Sequence, residues 1–70
     1  MNEVRIIVKG MNCSHCEMTI ENSINAIEGI KDSKANQETG EVIVHGDKID
    51  LDKIRDAVER VGYVFEGTKD

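Results

Sequence analysis

Aromatic side chains are nearly missing from this 70-residue sequence: Tyr63 and Phe65 are the whole set, and there is no tryptophan. Any core must therefore be aliphatic. A chain this short buries only about 60% of the surface its unfolded form exposes, so that core is thin. Positive charge is in deficit, with 9 Lys and Arg against 14 Asp and Glu, a net charge of −5. Sequence-independent binding to nucleic acid needs cations to displace counterions, so it is disfavoured. Docking on an anionic membrane is disfavoured for the same reason, whereas a partner with a basic patch is admitted. Long apolar runs are lacking too. Ile6-Ile7-Val8 is the longest near the start, far short of a signal-peptide core or a membrane helix. The expected compartment is the cytoplasm, where thiols stay reduced. There is no repeat, low-complexity tract or Ser/Gly linker, so one domain over residues 1–70 is expected. Met1 and the polar end Gly67-Thr68-Lys69-Asp70 point to a free-standing protein.

What is present is an orderly alternation of strand and helix patterns. Met1 to Lys9 puts Val4, Ile6 and Val8 on one side and Glu3, Arg5 and Lys9 on the other, a half-buried strand. Ile7 breaks the pattern and belongs on the outer face. A helix is predicted from about Ser14 to Glu28, with Cys16, Ile20, Ser23, Ile24 and Ile27 on one stripe. Ser14 and Glu17 have the spacing of a capping box, and Gly29 suits the left-handed turn after the helix. Ile30 to Glu38 reads as an edge strand whose inward residues, Ser33, Ala35 and Gln37, make a poor apolar face. Glu38-Thr39-Gly40-Glu41 is a hairpin turn, and Val42 and Val44 mark the third strand, closed by Gly46-Asp47-Lys48. A second helix over about Leu51 to Val61 has Asp50 as N-cap and Asp52 in its first turn. Leu51, Ile54, Val58 and Val61 line its apolar face, and Gly62 ends it. Tyr63 to Thr68 is the last strand. The order βαββαβ, with one stripe per helix, predicts an α+β fold: a ferredoxin-like, open-faced sandwich with two helices on one side of a four-stranded antiparallel sheet.

Cysteine is scarce as well, and its placement carries the chemistry. The only two, Cys13 and Cys16, lie in GMNCSHCE, at the junction of the first strand and first helix. In a reducing compartment such a pair is a metal site or a redox couple, not a staple. The first N–H groups of a helix lack internal partners and favour negative charge, so a thiol there ionises more readily. Thiolates select soft ions: Cu(I), zinc or iron–sulfur clusters. Structural zinc and iron–sulfur sites want four protein ligands. Here there are two sulfurs, with His15 between them and His45 on a strand expected to lie far away. Two thiolates suit Cu(I) or Hg(II), and leave room for an incoming thiol. Half of a zinc site completed by a second chain, and a redox dithiol, remain alternatives from spacing alone.

Three segments together, GMNCSHC at 10–16, ETGEV at 38–42 and VGY at 61–63, resemble the heavy-metal-associated domain, most closely the small bacterial copper chaperones. The resemblance runs through the whole βαββαβ order. It implies that Cys13 and Cys16 are ligands of one Cu(I) per monomer. It implies that Met11 packs beneath the metal loop as a core residue, and that Tyr63 shields or hydrogen-bonds the site. His15 is either a modulator of the thiols, adding a ligand when copper bridges a homodimer, or an exposed side chain at a helix start. In the monomer the exposed side chain is expected, and His45 should be merely solvated. Asn12 stands where zinc- and cadmium-type relatives often carry an acid, which favours copper. Ser33 and Ala35 are smaller than usual for the second strand, which puts that edge in doubt. The implied function is a soluble carrier, not an enzyme, that passes Cu(I) by thiol exchange to a copper-transporting P-type ATPase or another copper protein. It would neither insert in the membrane nor bind nucleic acid. The alternatives are a thiol–disulfide redox protein, which the total absence of proline argues against, and a carrier of Hg(II) or Zn(II).

Overall fold

The structure is a computed structural model that describes residues 2–68; Met1, Lys69 and Asp70, which entered the expectations for the first strand and the polar end, lie outside the described residues. The elements run β1 (Asn2–Lys9), α1 (Ser14–Asn25), β2 (Ile30–Asn36), β3 (Glu41–Gly46), α2 (Leu51–Arg60) and β4 (Val64–Thr68). The strands form one antiparallel sheet in the order β2-β3-β1-β4. This is the expected ferredoxin-like arrangement. The alternation in β1 and β3 decides the register: Val4 pairs with Val44 and Ile6 with Val42, so both apolar rows face the helices. Ile6, Val8, Ile20, Ile24, Val42, Val44, Ile54 and Val58 are fully buried. Each is worth roughly 1.5–3 kcal/mol of transfer from water, and the core is aliphatic throughout. Phe65 and Tyr63 pack only partly against it.

Helix α1 departs from expectation at both ends. Its N-cap is Cys13, not Ser14: the Cys13 sulfur accepts from the Cys16 N–H. No capping box forms, because the Glu17 carboxylate turns the other way and accepts from the Gln37 N–H at 2.6 Å. The helix stops at Asn25 with Ala26 as its C-cap. Helix α2 starts as expected, with Asp50 accepting from the Asp52 N–H at 3.0 Å. Its apolar face is narrower than the pattern suggested. Leu51 and Val61 sit at its two ends and are 40% and 36% exposed; only Ile54 and Val58, one turn apart, reach the core.

The second strand corrects the doubt about its small residues. Ser33 and Ala35 are buried at 6% and 7% exposure, and α1 lies directly over them. The Ser33 hydroxyl reaches the Glu21 carbonyl at 3.4 Å and Asn25 Oδ1 at 2.8 Å. Ala35 N–H donates to Glu21 Oε2 at 2.8 Å. Larger side chains would push the helix away from these contacts. The open face of the sheet carries two ion pairs, Arg5 with Glu41 and Lys9 with Glu66, around half-buried Ile7, on the outer face as expected, and Ile43. His45 is not merely solvated: it pairs with Glu3 at 3.0 Å across β1 and β3.

Candidate metal centre

Strand β1 ends at Lys9 and the chain must reverse to start α1 over the sheet. Gly10 makes that turn with φ +107, and a Cβ there would meet the Tyr63 ring at 2.9 Å. Glycine is thus required twice, for its backbone angle and because the Tyr63 ring lies on it. Met11 follows and is buried in the core at 7% exposure. It anchors the loop from below, and its sulfur belongs to the packing. Asn12, Cys13, Ser14 and His15 then run along the surface, all exposed.

The fold brings Cys13 and Cys16 together. Their sulfurs are 2.8 Å apart and both are free thiols. Cys13 is exposed, while Cys16 is half-buried against the core. The Cys16 N–H donates to the Cys13 sulfur at 3.3 Å, and the Cys13 carbonyl takes the N–H groups of Cys16 and Glu17 at 3.0 and 3.2 Å. The Cys16 N–H at the helix start is therefore shared between the Cys13 carbonyl and the Cys13 sulfur, and its share at the sulfur favours the anionic form.

The Cys16 thiol is brought down to about 7, first by its hydrogen bond with the Cys13 thiol, then by the Tyr63 hydroxyl and the Asn12 backbone N–H. The same contact with Cys16 pushes the Tyr63 phenol up, aided by burial and by the negative charge on the two sulfurs. Tyr63 thus stays protonated beside the thiols. The Cys16 thiolate is present above about pH 7 and is lost below it. Alkylation of Cys16 should accordingly rise through a midpoint near pH 7. In a Tyr63→Phe variant, which loses a donor to the thiolate, the midpoint should move up towards the ordinary thiol value of about 8.5. Mass-spectrometric rates of iodoacetamide labelling across pH would read it, and an unmoved midpoint would remove Tyr63 from the site.

His15 is exposed, and its carbonyl accepts from the Thr19 hydroxyl at 3.0 Å. His45 is held by Glu3 near the far end of β1. Among the described residues, no group of three or more His, Cys, Asp or Glu side chains gathers in a way that could hold a metal. Asn12 was missed as a contact: the Cys16 thiol reaches its Oδ1 at 3.6 Å. The signal was available, since Asn12 lies four residues before Cys16 at the start of a helical turn.

The fold recurs in known proteins. The model of the heavy-metal-associated domain matches residues 5–64. The Staphylococcus aureus protein named copper chaperone CopZ is 35% identical over 65 residues, which is 90% of this chain and 96% of the relative. A solved CopZ metallochaperone superposes with a TM-score of 0.87 at 33% identity, covering 91% of this chain and 98% of that one. The N-terminal domain of a potential copper-translocating P-type ATPase from Bacillus subtilis, solved in its Cu(I)-loaded state, gives 0.83 at 26% identity, covering 97% and 90%. The matched span takes in both cysteines, Tyr63 and every buried core position. By sequence and by fold alike, this chain belongs to the heavy-metal-associated domain family.

Proposed function

We propose that this chain carries Cu(I) as cargo, one ion per molecule, on Cys13 and Cys16. It hands the ion by thiol exchange to a copper-transporting P-type ATPase or another copper protein in the cytoplasm. The observation that carries this reading is the pair of adjacent thiols at an open helix start, one exposed and one half-buried. Two soft sulfurs suit an ion content with two ligands. The relative named as a copper chaperone and the Cu(I)-loaded ATPase domain with the same fold support copper as the ion and an ATPase as the recipient. Residues 1–70 act as a single heavy-metal-associated domain, and as a carrier rather than an enzyme.

Two metal–thiolate bonds of about 2.3 Å laid end to end span about 4.6 Å. The sulfurs, now 2.8 Å apart, must open to take the ion, and the room for it lies on the solvent side of exposed Cys13. Binding displaces the thiol protons, so affinity falls as acid pH protonates Cys16. The two-thiolate complex carries one negative charge, which the Cys16 N–H at the Cys13 sulfur and the Tyr63 hydroxyl offset. In transfer, a partner thiolate adds to copper and forms a third Cu–S bond. One bond to Cys13 or Cys16 then breaks and the released thiolate takes up a proton; a second partner thiolate adds in turn, and the remaining bond to this chain breaks in the same way. No electron changes hands.

Titration of the reduced protein with Cu(I) against a competing chelator tests the reading. One equivalent should be retained, and a recipient ATPase domain added afterwards should draw it off, shifting NMR signals of residues 13–16 and Tyr63. Loss of all copper to the chelator, or preferential retention of zinc, would refute it. A second reading, a thiol–disulfide redox protein, is favoured by the close sulfurs and the acidified Cys16. It requires reduction of insulin disulfides in metal-free buffer with a supplied dithiol reductant; an inert protein in that assay excludes it.

A further inference from the structure

The sulfur pair hangs on a surface loop, and Glu17 is the residue that refers it to the sheet. Three bonds meet there. Glu17 follows Cys16 directly in the chain. Its backbone N–H donates to the Cys13 carbonyl at 3.2 Å. Its carboxylate Oε2 accepts from the Gln37 N–H at 2.6 Å. Gln37 opens the turn between β2 and β3, and the same turn grips the exit of β1 through the Val8 N–H and the Gly40 carbonyl at 2.7 Å. The turn at residues 37–40 therefore holds both arms of the metal loop: the strand that leads into it and the helical turn that closes it. One helical turn on, Glu21 makes the same kind of bond to the Ala35 N–H at 2.8 Å, but touches neither cysteine.

We infer that Glu17 is a positioning residue for the Cys13–Cys16 pair, acting through the Gln37 N–H to hold the loop backbone from which the two sulfurs project. The inference rests on the proposed copper site for its importance, although its effect on the sulfurs can be read without metal. A carboxylate–amide bond is stronger than a neutral one, and a ligand pair held in place loses less freedom on binding. The length of Glu17 matters as well as its charge. Aspartate is one methylene shorter and would not reach Gln37, whereas glutamine reaches it and keeps the acceptor oxygen.

The experiment compares Glu17→Asp, Glu17→Gln and Glu21→Ala with the parent protein. Two quantities are measured on each: Cu(I) affinity against a competing chelator, and the equilibrium of the Cys13–Cys16 dithiol with its disulfide in glutathione buffers. The second reports how well the sulfurs are held and uses no metal. Glu17→Asp should weaken both by about tenfold, the lower end of the worth of one charge-assisted hydrogen bond. Glu17→Gln, which keeps the reach but gives up the charge, should lose less, about threefold on both. Glu21→Ala should lower the urea midpoint yet leave both sulfur readouts in place, which separates positioning from general stability. Equal sulfur readouts for Glu17→Asp and the parent, or parallel losses in Glu17→Asp and Glu21→Ala, would overturn the inference. A parent protein that fails to bind Cu(I) would refute the copper reading alone, because the glutathione equilibrium still decides the role of Glu17.

Discussion

A Cys13→Ser, Cys16→Ser double variant should retain its fold and lose measurable Cu(I) binding. Serine hydroxyls are hard, neutral donors that a soft ion does not prefer. Thiolate-rich metal sites hold their ion by on the order of 10 kcal/mol, so removing every thiolate corresponds to about seven decades in Kd. On a chelator titration that reads as no binding at all. The fold should survive because Cys13 is exposed and its structural task is to cap α1. Serine is among the preferred N-cap residues and can take over that bond. Cys16 packs only at the margin of the core. The urea midpoint should therefore move by no more than about 1 kcal/mol in stability. A double variant that still held Cu(I) with undiminished affinity would place the site elsewhere in the molecule.

The second large effect concerns stability. Gly46→Ala should destabilise the protein by roughly 2–3 kcal/mol, the upper range for forcing atoms into a filled space. A Cβ on Gly46 would run into the Gly29 carbonyl oxygen and lie 3.0 Å from the Ile30 α-carbon. Neither neighbour is the end of a flexible side chain. The Gly29 carbonyl is already engaged by the Asp47 and Lys48 N–H groups at 3.0 and 3.3 Å. A Cβ on Gly29 would in turn meet the Lys48 carbonyl at 2.7 Å. Two connections, α1 to β2 and β3 to α2, thus cross backbone on backbone. For a domain of this size the melting temperature should fall by roughly 10–20 °C. The crossing lies beside Asn2 at the start of β1, at the other end of that strand from the thiols, so Cu(I) affinity of the folded protein should not change. Thermal unfolding by circular dichroism reads the first effect and the chelator titration the second. A shift of under about 3 °C would mean that the loops yield where the packing says they cannot.

These two substitutions mark the division between what was legible in the sequence and what was not. The thiol pair was legible because its chemistry is local. Two cysteines two residues apart at a strand-to-helix junction meet whatever the rest of the chain does. Tyr63 and Met11 were legible only through the resemblance of their motifs to a family. Neither periodicity nor charge would have brought residue 63 to residue 16. The cap was misread for a related reason. Ser14 and Glu17 have the right spacing for a capping box, but spacing cannot see that the Gln37 N–H, 20 positions away, competes for the Glu17 carboxylate.

By itself the sequence determined the order of the six elements, the inward rows of β1 and β3, and the location of the soft donors, because each follows from side-chain alternation or chain proximity. The tertiary structure alone decided which edge N–H groups Glu17 and Glu21 satisfy, why Ser33 and Ala35 must be small, and why Gly46 must be glycine. Those features depend on the gap between segments distant in the chain, and a gap is a property of the packed whole that no single stretch of residues encodes.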